Sequence, residues 1–116
     1  MKYGVIVIEK KEHELLRRIM SMAHYHKDQT YKNSIEKLTL ELAKAKVLPN
    51  KDMPGDVIRF NSIVTIETAY NVKKTYQLVT PDKSDIRQNK ISVLAPMGLA
   101  LMGYAEGDEI LWHFPA

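Results

Sequence analysis

The chain has 116 residues, enough for one small domain, or one domain with an appendage, and too few for two full cores. Its 45% apolar and 27% charged residues are ordinary globular proportions that exclude wholesale disorder, and the lack of cysteine excludes a disulfide framework and every thiolate metal site. The net charge of +3 lies within residues 9–48, which hold nine Lys or Arg against six Asp or Glu, while the remainder holds eight of each; so mild a bias fits a solvated helical surface, and no direct sequence-specific contact with nucleic acid is predicted.

Tyr3 to Ile8 is a β-branched apolar run ending at a charge cluster, which predicts a strand or a docked extended arm, with the edge of another sheet as one place for it to bury. It is too short for a signal core, and no apolar run approaches the roughly 18 residues of a membrane span, so the expected location is the cytoplasm. From Glu9 the pattern turns helical. Leu15, Ile19 and Met22 recur at spacings of four and three, and Leu16, Met20 and Ala23 widen the stripe, predicting a helix of about 16 residues, or about 24 Å. Glu9, Glu12 and Glu14 near its start agree with the helix dipole. The pattern is lost from Ala23 to Asn33, where the chain reverses. Asn33 with Glu36 suggests a capping-box start to a second helix, whose seam is Ile35, Leu38, Leu42 and Ala45. Two such helices predict a short antiparallel hairpin, too small to stand alone in water.

Pro49, Pro54 and Gly55 break the helical pattern, and the turn chemistry of Met53 to Asp56 marks a boundary between residues 1–50 and 51–116. Beyond it Val57 to Phe60, Ile63 to Glu67 and Thr75 to Thr80 are strand-like, with Asn61, Ser62 and Asn71 as turn residues. A polar loop, Pro81 to Lys90, leads into the apolar run Ile91, Val93 and Leu94. Pro96 then suits the first turn of a helix that carries Met97, Ala100 and Leu101 on one face, and Gly103 stands where a left-handed cap is wanted. Gly107 and Asp108 form a turn before a closing strand with Ile110, Trp112 and Phe114 alternating. A sheet of about five strands with one short helix against it makes the fold class α+β.

The string ISVLAPMGLALMGYAEGD, followed by the final Pro115 and Ala116, resembles the C-terminal signature of the GreA/GreB family of bacterial transcription factors. The matching positions are Ala95, Pro96, Gly98, Ala100, Leu101, Gly103, Gly107, Asp108, Pro115 and Ala116. The wording SVLAPMGLALMG, with ELAKAKVLPNKDMPGDVIRFNS upstream, is most similar to the regulator of nucleoside diphosphate kinase (Rnk) branch. The resemblance implies an FKBP-like antiparallel sheet for the C-terminal segment. It also implies a partner, bacterial RNA polymerase, bound at the rim of the secondary channel. The loop that would dock there is Leu94, Ala95, Pro96 and Met97, with Leu99 as an apolar replacement for the arginine usual in Gre factors; the alternative is that this stretch is simply core and turn.

In the family the hairpin tip carries two acidic residues that help hold a magnesium ion for RNA cleavage. Here the tip residues are His26, Lys27 and Asp28, and Asp28 is the only acid between Glu14 and Glu36. One carboxylate among His24, His26, Lys27 and Lys32 is a poor magnesium site, so Asp28 reads as a turn residue and no stimulation of cleavage is predicted. His13, His24, His26 and His113 lack the spacing and companions of a metal site, and neither a nucleophile arrangement nor a phosphate-binding glycine loop is present. The expectation is a monomeric, non-enzymatic regulator without a cofactor. Two alternatives are a prolyl isomerase with Tyr76, Trp112 and Phe114 in its pocket, and a self-associating module.

Overall fold

The computed structural model describes residues 1–22 and 29–110. The chain opens with a turn in which Gly4, at φ +77°, donates its N–H to the Met1 carbonyl. That left-handed residue stops the extended run expected from Tyr3, so strand β1 covers only Val7–Glu9. It passes directly into helix α1 (Lys10–Ser21), because the Glu9 carboxylate caps it by accepting the N–H groups of Lys11 at 2.6 Å and Glu12 at 3.3 Å. At 12 residues α1 is shorter than the 16 expected. Helix α2 (Gln29–Lys44) starts four residues before Asn33, so the capping box with Glu36 does not form. Asn33 instead accepts the Gln29 side-chain amide at 2.9 Å, one helical turn away on the same face.

Strand β2 (Lys46–Leu48) follows α2 at once and is the partner of β1, in a two-stranded parallel sheet with Val7 opposite Lys46 and Glu9 opposite Leu48. The arm therefore pairs with the exit of α2 rather than with the edge of the other sheet. Val57 to Phe60 is not a strand. Val57 makes one antiparallel bridge to Ala105, Ile58 donates to the Tyr104 carbonyl at 2.8 Å, and Arg59–Ser62 turns through Asn61 at φ +70°.

The second sheet has order β3-β4-β5, from Ile63–Glu67, Lys73–Val79 and Lys90–Ser92. Strands β3 and β4 are an antiparallel hairpin turned at Asn71, φ +61°, as its sequence position suggests. The expected all-antiparallel sheet is not what forms, because β5 runs parallel to β4 with Leu78 opposite Ile91. Two 3-10 turns, Pro81–Lys83 and Ile86–Gln88, carry the chain back to the starting end of that strand and so fix its direction. The short helix α3 (Pro96–Leu101) comes next, and α2 packs on it. From Tyr104 to Ile110 the chain is turn and bridge without a regular strand, and the expected Trp112 and Phe114 lie outside the described residues.

One buried cluster draws on both segments: Ile6, Ile8, Leu16, Ile35 and Leu38 from the first, Leu78, Val93, Leu99, Met102 and Tyr104 from the second. The helices thus lean on the C-terminal segment, as their size requires. Among the described residues no helix is long and apolar enough to cross a membrane.

Candidate functional site

The turn between β5 and α3 is built from the backbone outwards. Val93 is fully buried and donates its N–H to the Val79 carbonyl at 2.9 Å, which extends the strand pairing by one residue. Ser92 then reverses the chain: its hydroxyl oxygen accepts the Leu94 N–H at 3.0 Å and its carbonyl accepts the Ala95 N–H at 3.0 Å. Ala95 is extended, at φ −65° and ψ 150°, as a residue before proline must be, and Pro96 opens α3 where its missing N–H costs nothing. The result is a rigid corner whose Leu94, Ala95, Pro96 and Met97 are all half-buried.

Gly98 explains why the corner is so tight. A Cβ there would lie 2.1 Å from the Ser92 carbonyl oxygen and 2.9 Å from the Val93 Cα, so the helix rests directly on the strand backbone. Gly103 ends the helix at φ +82° with the Ile6 side chain against its Cα, locking the β1 approach to the same place. Gly107, at φ +89°, turns the chain so that Asp108 accepts the Ala105 N–H at 2.9 Å and the Lys2 N–H at 2.6 Å. Asp56 beside it takes an ion pair from the Lys2 ammonium and a 2.7 Å hydrogen bond from the Tyr3 hydroxyl. Those two donors hold its carboxyl below the usual carboxylate range, and Asp56 in turn raises both Lys2 and Tyr3.

The structure brings Leu94, Ala95, Pro96 and Met97 together at one corner and removes Leu99 from it. Leu99 is 3% exposed in the core, so it is not the apolar replacement for a docking arginine. Because Gly98 allows so close an approach, Leu99 is buried while Met97 packs on the same core from its edge. His26, Lys27 and Asp28 of the tip lie outside the described residues, as do His24 and His113. His13 has a ring nitrogen 3.4 Å from the Leu42 carbonyl oxygen, against the backbone of the other helix. Tyr76 is half-buried on β4. A cleft of about 570 Å³ is lined by Glu12, Leu15, Arg59, Phe60, Thr80 and Lys83, and Tyr76 is not part of it.

Residues 53–116 match the model of the family described as "Transcription elongation factor, GreA/GreB, C-term". The chain belongs to the GreA/GreB family. It is 44% identical over 82 residues to the transcription elongation factor GreA of Syntrophus aciditrophicus, covering 70% of this chain and 51% of that protein. It is 37% identical over 99 residues to GreA of Hyphomonas neptunium, covering 81% and 63% respectively. The chain thus spans about half to two thirds of the length of these relatives. A solved structure titled as the prokaryotic transcription elongation factor GreA/GreB from Nitrosomonas europaea superposes with a TM-score of 0.77 at 32% identity, covering 96% of this chain and 87% of that one. Three glycines of the matched segment each meet a backbone need: Gly98 for helix-on-strand approach, Gly103 and Gly107 for left-handed backbone.

Two contacts of the GreA/GreB fold here had no sequence signal. Glu12 on α1 pairs with Arg59, and Glu41 on α2 accepts the Tyr104 hydroxyl at 2.7 Å. Burial and the neighbouring Glu41 carboxylate together push the Tyr104 phenol well above its ordinary range. The partners lie 47 and 63 positions apart, beyond any periodicity that could announce them.

Proposed function

We propose that this chain is a non-enzymatic transcription regulator that binds RNA polymerase at the rim of the secondary channel and competes there with Gre-type factors. Residues 1–50 act as a short helical hairpin directed at the channel, and residues 51–116, FKBP-like in plan, carry the docking corner Leu94, Ala95, Pro96 and Met97. The observation that carries the reading is this corner, a proline-stiffened, half-exposed turn in a segment that matches the GreA/GreB family. A rigid turn loses little conformational freedom on binding, which suits it to docking.

Transcript cleavage is left out of this activity. Helices α1 and α2 have 12 and 16 residues, about 18 Å and 24 Å long, and Asp28 is the only acid between Glu14 and Glu36. One carboxylate beside two histidines and two lysines does not supply the paired anions a magnesium ion needs. Within the family we read the chain as the Rnk branch, which carries a link to the regulation of nucleoside diphosphate kinase. A cleavage assay on backtracked polymerase tests the reading. Added with a Gre factor, the protein should slow cleavage in proportion to its concentration. Faster cleavage when the protein is added alone would refute it.

A further inference from the structure

Both helices are tied to the C-terminal segment by a carboxylate, one on each helix and at separate points. Glu12, in the first turn of α1, has a side chain only 14% exposed. Its Oε2 accepts the Arg59 Nε at 2.8 Å and Nη2 at 2.6 Å, and its Oε1 accepts the Phe60 N–H at 3.1 Å. The receiving turn is itself fastened to β4, since Asn61 donates to the Leu78 carbonyl at 2.6 Å and Leu78 donates back to that of Ser62 at 3.0 Å. Arg59 is further held by the Asn50 side-chain oxygen at 2.9 Å. On the other helix, Glu41 takes the hydroxyl of Tyr104, a buried residue just after α3 and its Gly103 cap.

We propose that Glu12 and Glu41 are positioning residues that fix the direction of α1 and α2 relative to the docking corner Leu94–Met97. The inference rests on the polymerase reading for its functional consequence and on the geometry alone for its structural one. Apolar contacts of the shared core are non-directional and leave room for helices to slide or roll. Charge-assisted hydrogen bonds are directional, and Arg59 on one carboxylate oxygen with the Phe60 N–H on the other sets both distance and angle. The Val7 N–H on the Gly103 carbonyl at 3.1 Å fixes where α1 starts, and the two carboxylates add a directional tie further along each helix. A protein that must engage one partner through a corner and a helical pair together gains affinity when their relative direction is set before binding.

The absence of cysteine makes the test direct, because spin labels can be placed at two introduced cysteines alone. Labels at Lys37, exposed on α2, and Ile86, 77% exposed in the loop before β5, report the distance between the two parts. Glu12→Gln, Glu41→Gln and the double variant are compared with the parent and with Glu14→Gln, whose residue is exposed on α1. The distance distribution should broaden in each single variant and most in the double one, while cooperative melting persists. The double variant should also need about five-fold more protein to displace a labelled Gre factor from core polymerase. Distributions as narrow as the parent's in a folded double variant would overturn the proposal, as would unchanged displacement beside a parent that displaces well. If the parent itself displaces nothing, the polymerase reading fails instead, and the width of the distribution alone decides whether the two carboxylates position the helices.

Discussion

At the scale of single residues, the corner is a problem of space solved by Gly98. Substituting alanine puts a methyl group 2.1 Å from the backbone oxygen of Ser92 at the end of β5, so either the strand or the helix must move. Gly98→Ala should cost about 2 kcal/mol or more, measured as a lower urea midpoint at unchanged slope. Tyr104 gives a second residue-level test, in pH. Its phenol has an ordinary value of 10.0 and is raised in the folded protein by burial and by Glu41. A raised group stabilises the fold fully below its unfolded pKa and loses that contribution as pH climbs towards the folded one. Stability should therefore decline above pH 10, and Tyr104→Phe should flatten the decline while lowering stability at pH 7 by about 1 kcal/mol. Denaturant titrations of both proteins between pH 7 and 11 would show the difference, and parallel curves would contradict it.

Among the elements, those whose signals are local were legible in the sequence. Strand β3 matches its alternating run, Pro96 starts α3, and Asn71, Gly103 and Gly107 turn the chain in left-handed conformations where turn chemistry asked for them. The misses share a different cause. Helix α1 starts on a glutamate cap that looked like one more acid of a first turn, and α2 starts before the residue that resembled its cap. Strand β2 has three residues and no alternating pattern, and exists because β1 lies beside it. Val57 to Phe60 has the composition of a strand but spends its backbone on the segment after α3. Leu99 reads from the sequence as a docking residue and is buried, because the depth of α3 depends on Gly98, a distance no spacing reveals. The Glu9 cap carries its own prediction: Glu9→Ala should lower stability by about 1 kcal/mol and fray the start of α1, seen as faster hydrogen exchange at Lys11 and Glu12.

For the whole molecule, the two segments share one core and two carboxylate ties, so the helices belong to the same body as the Leu94–Met97 corner. On the proposed reading, this body would place a rigid turn and a helical pair against one partner at once. Docking through this corner is the step we propose, and competition for bacterial core RNA polymerase against a labelled Gre factor puts it to the test. Pro96→Asp is the decisive variant: aspartate is well tolerated in the first turn of a helix, so α3 should form, but the corner gains a charge and loses its stiffness. The parent should displace the labelled factor at micromolar concentrations and the variant should need at least about ten-fold more, a loss of about 1.4 kcal/mol. Equal displacement by the two proteins would contradict docking through this corner, and displacement by neither would contradict the polymerase itself as the partner.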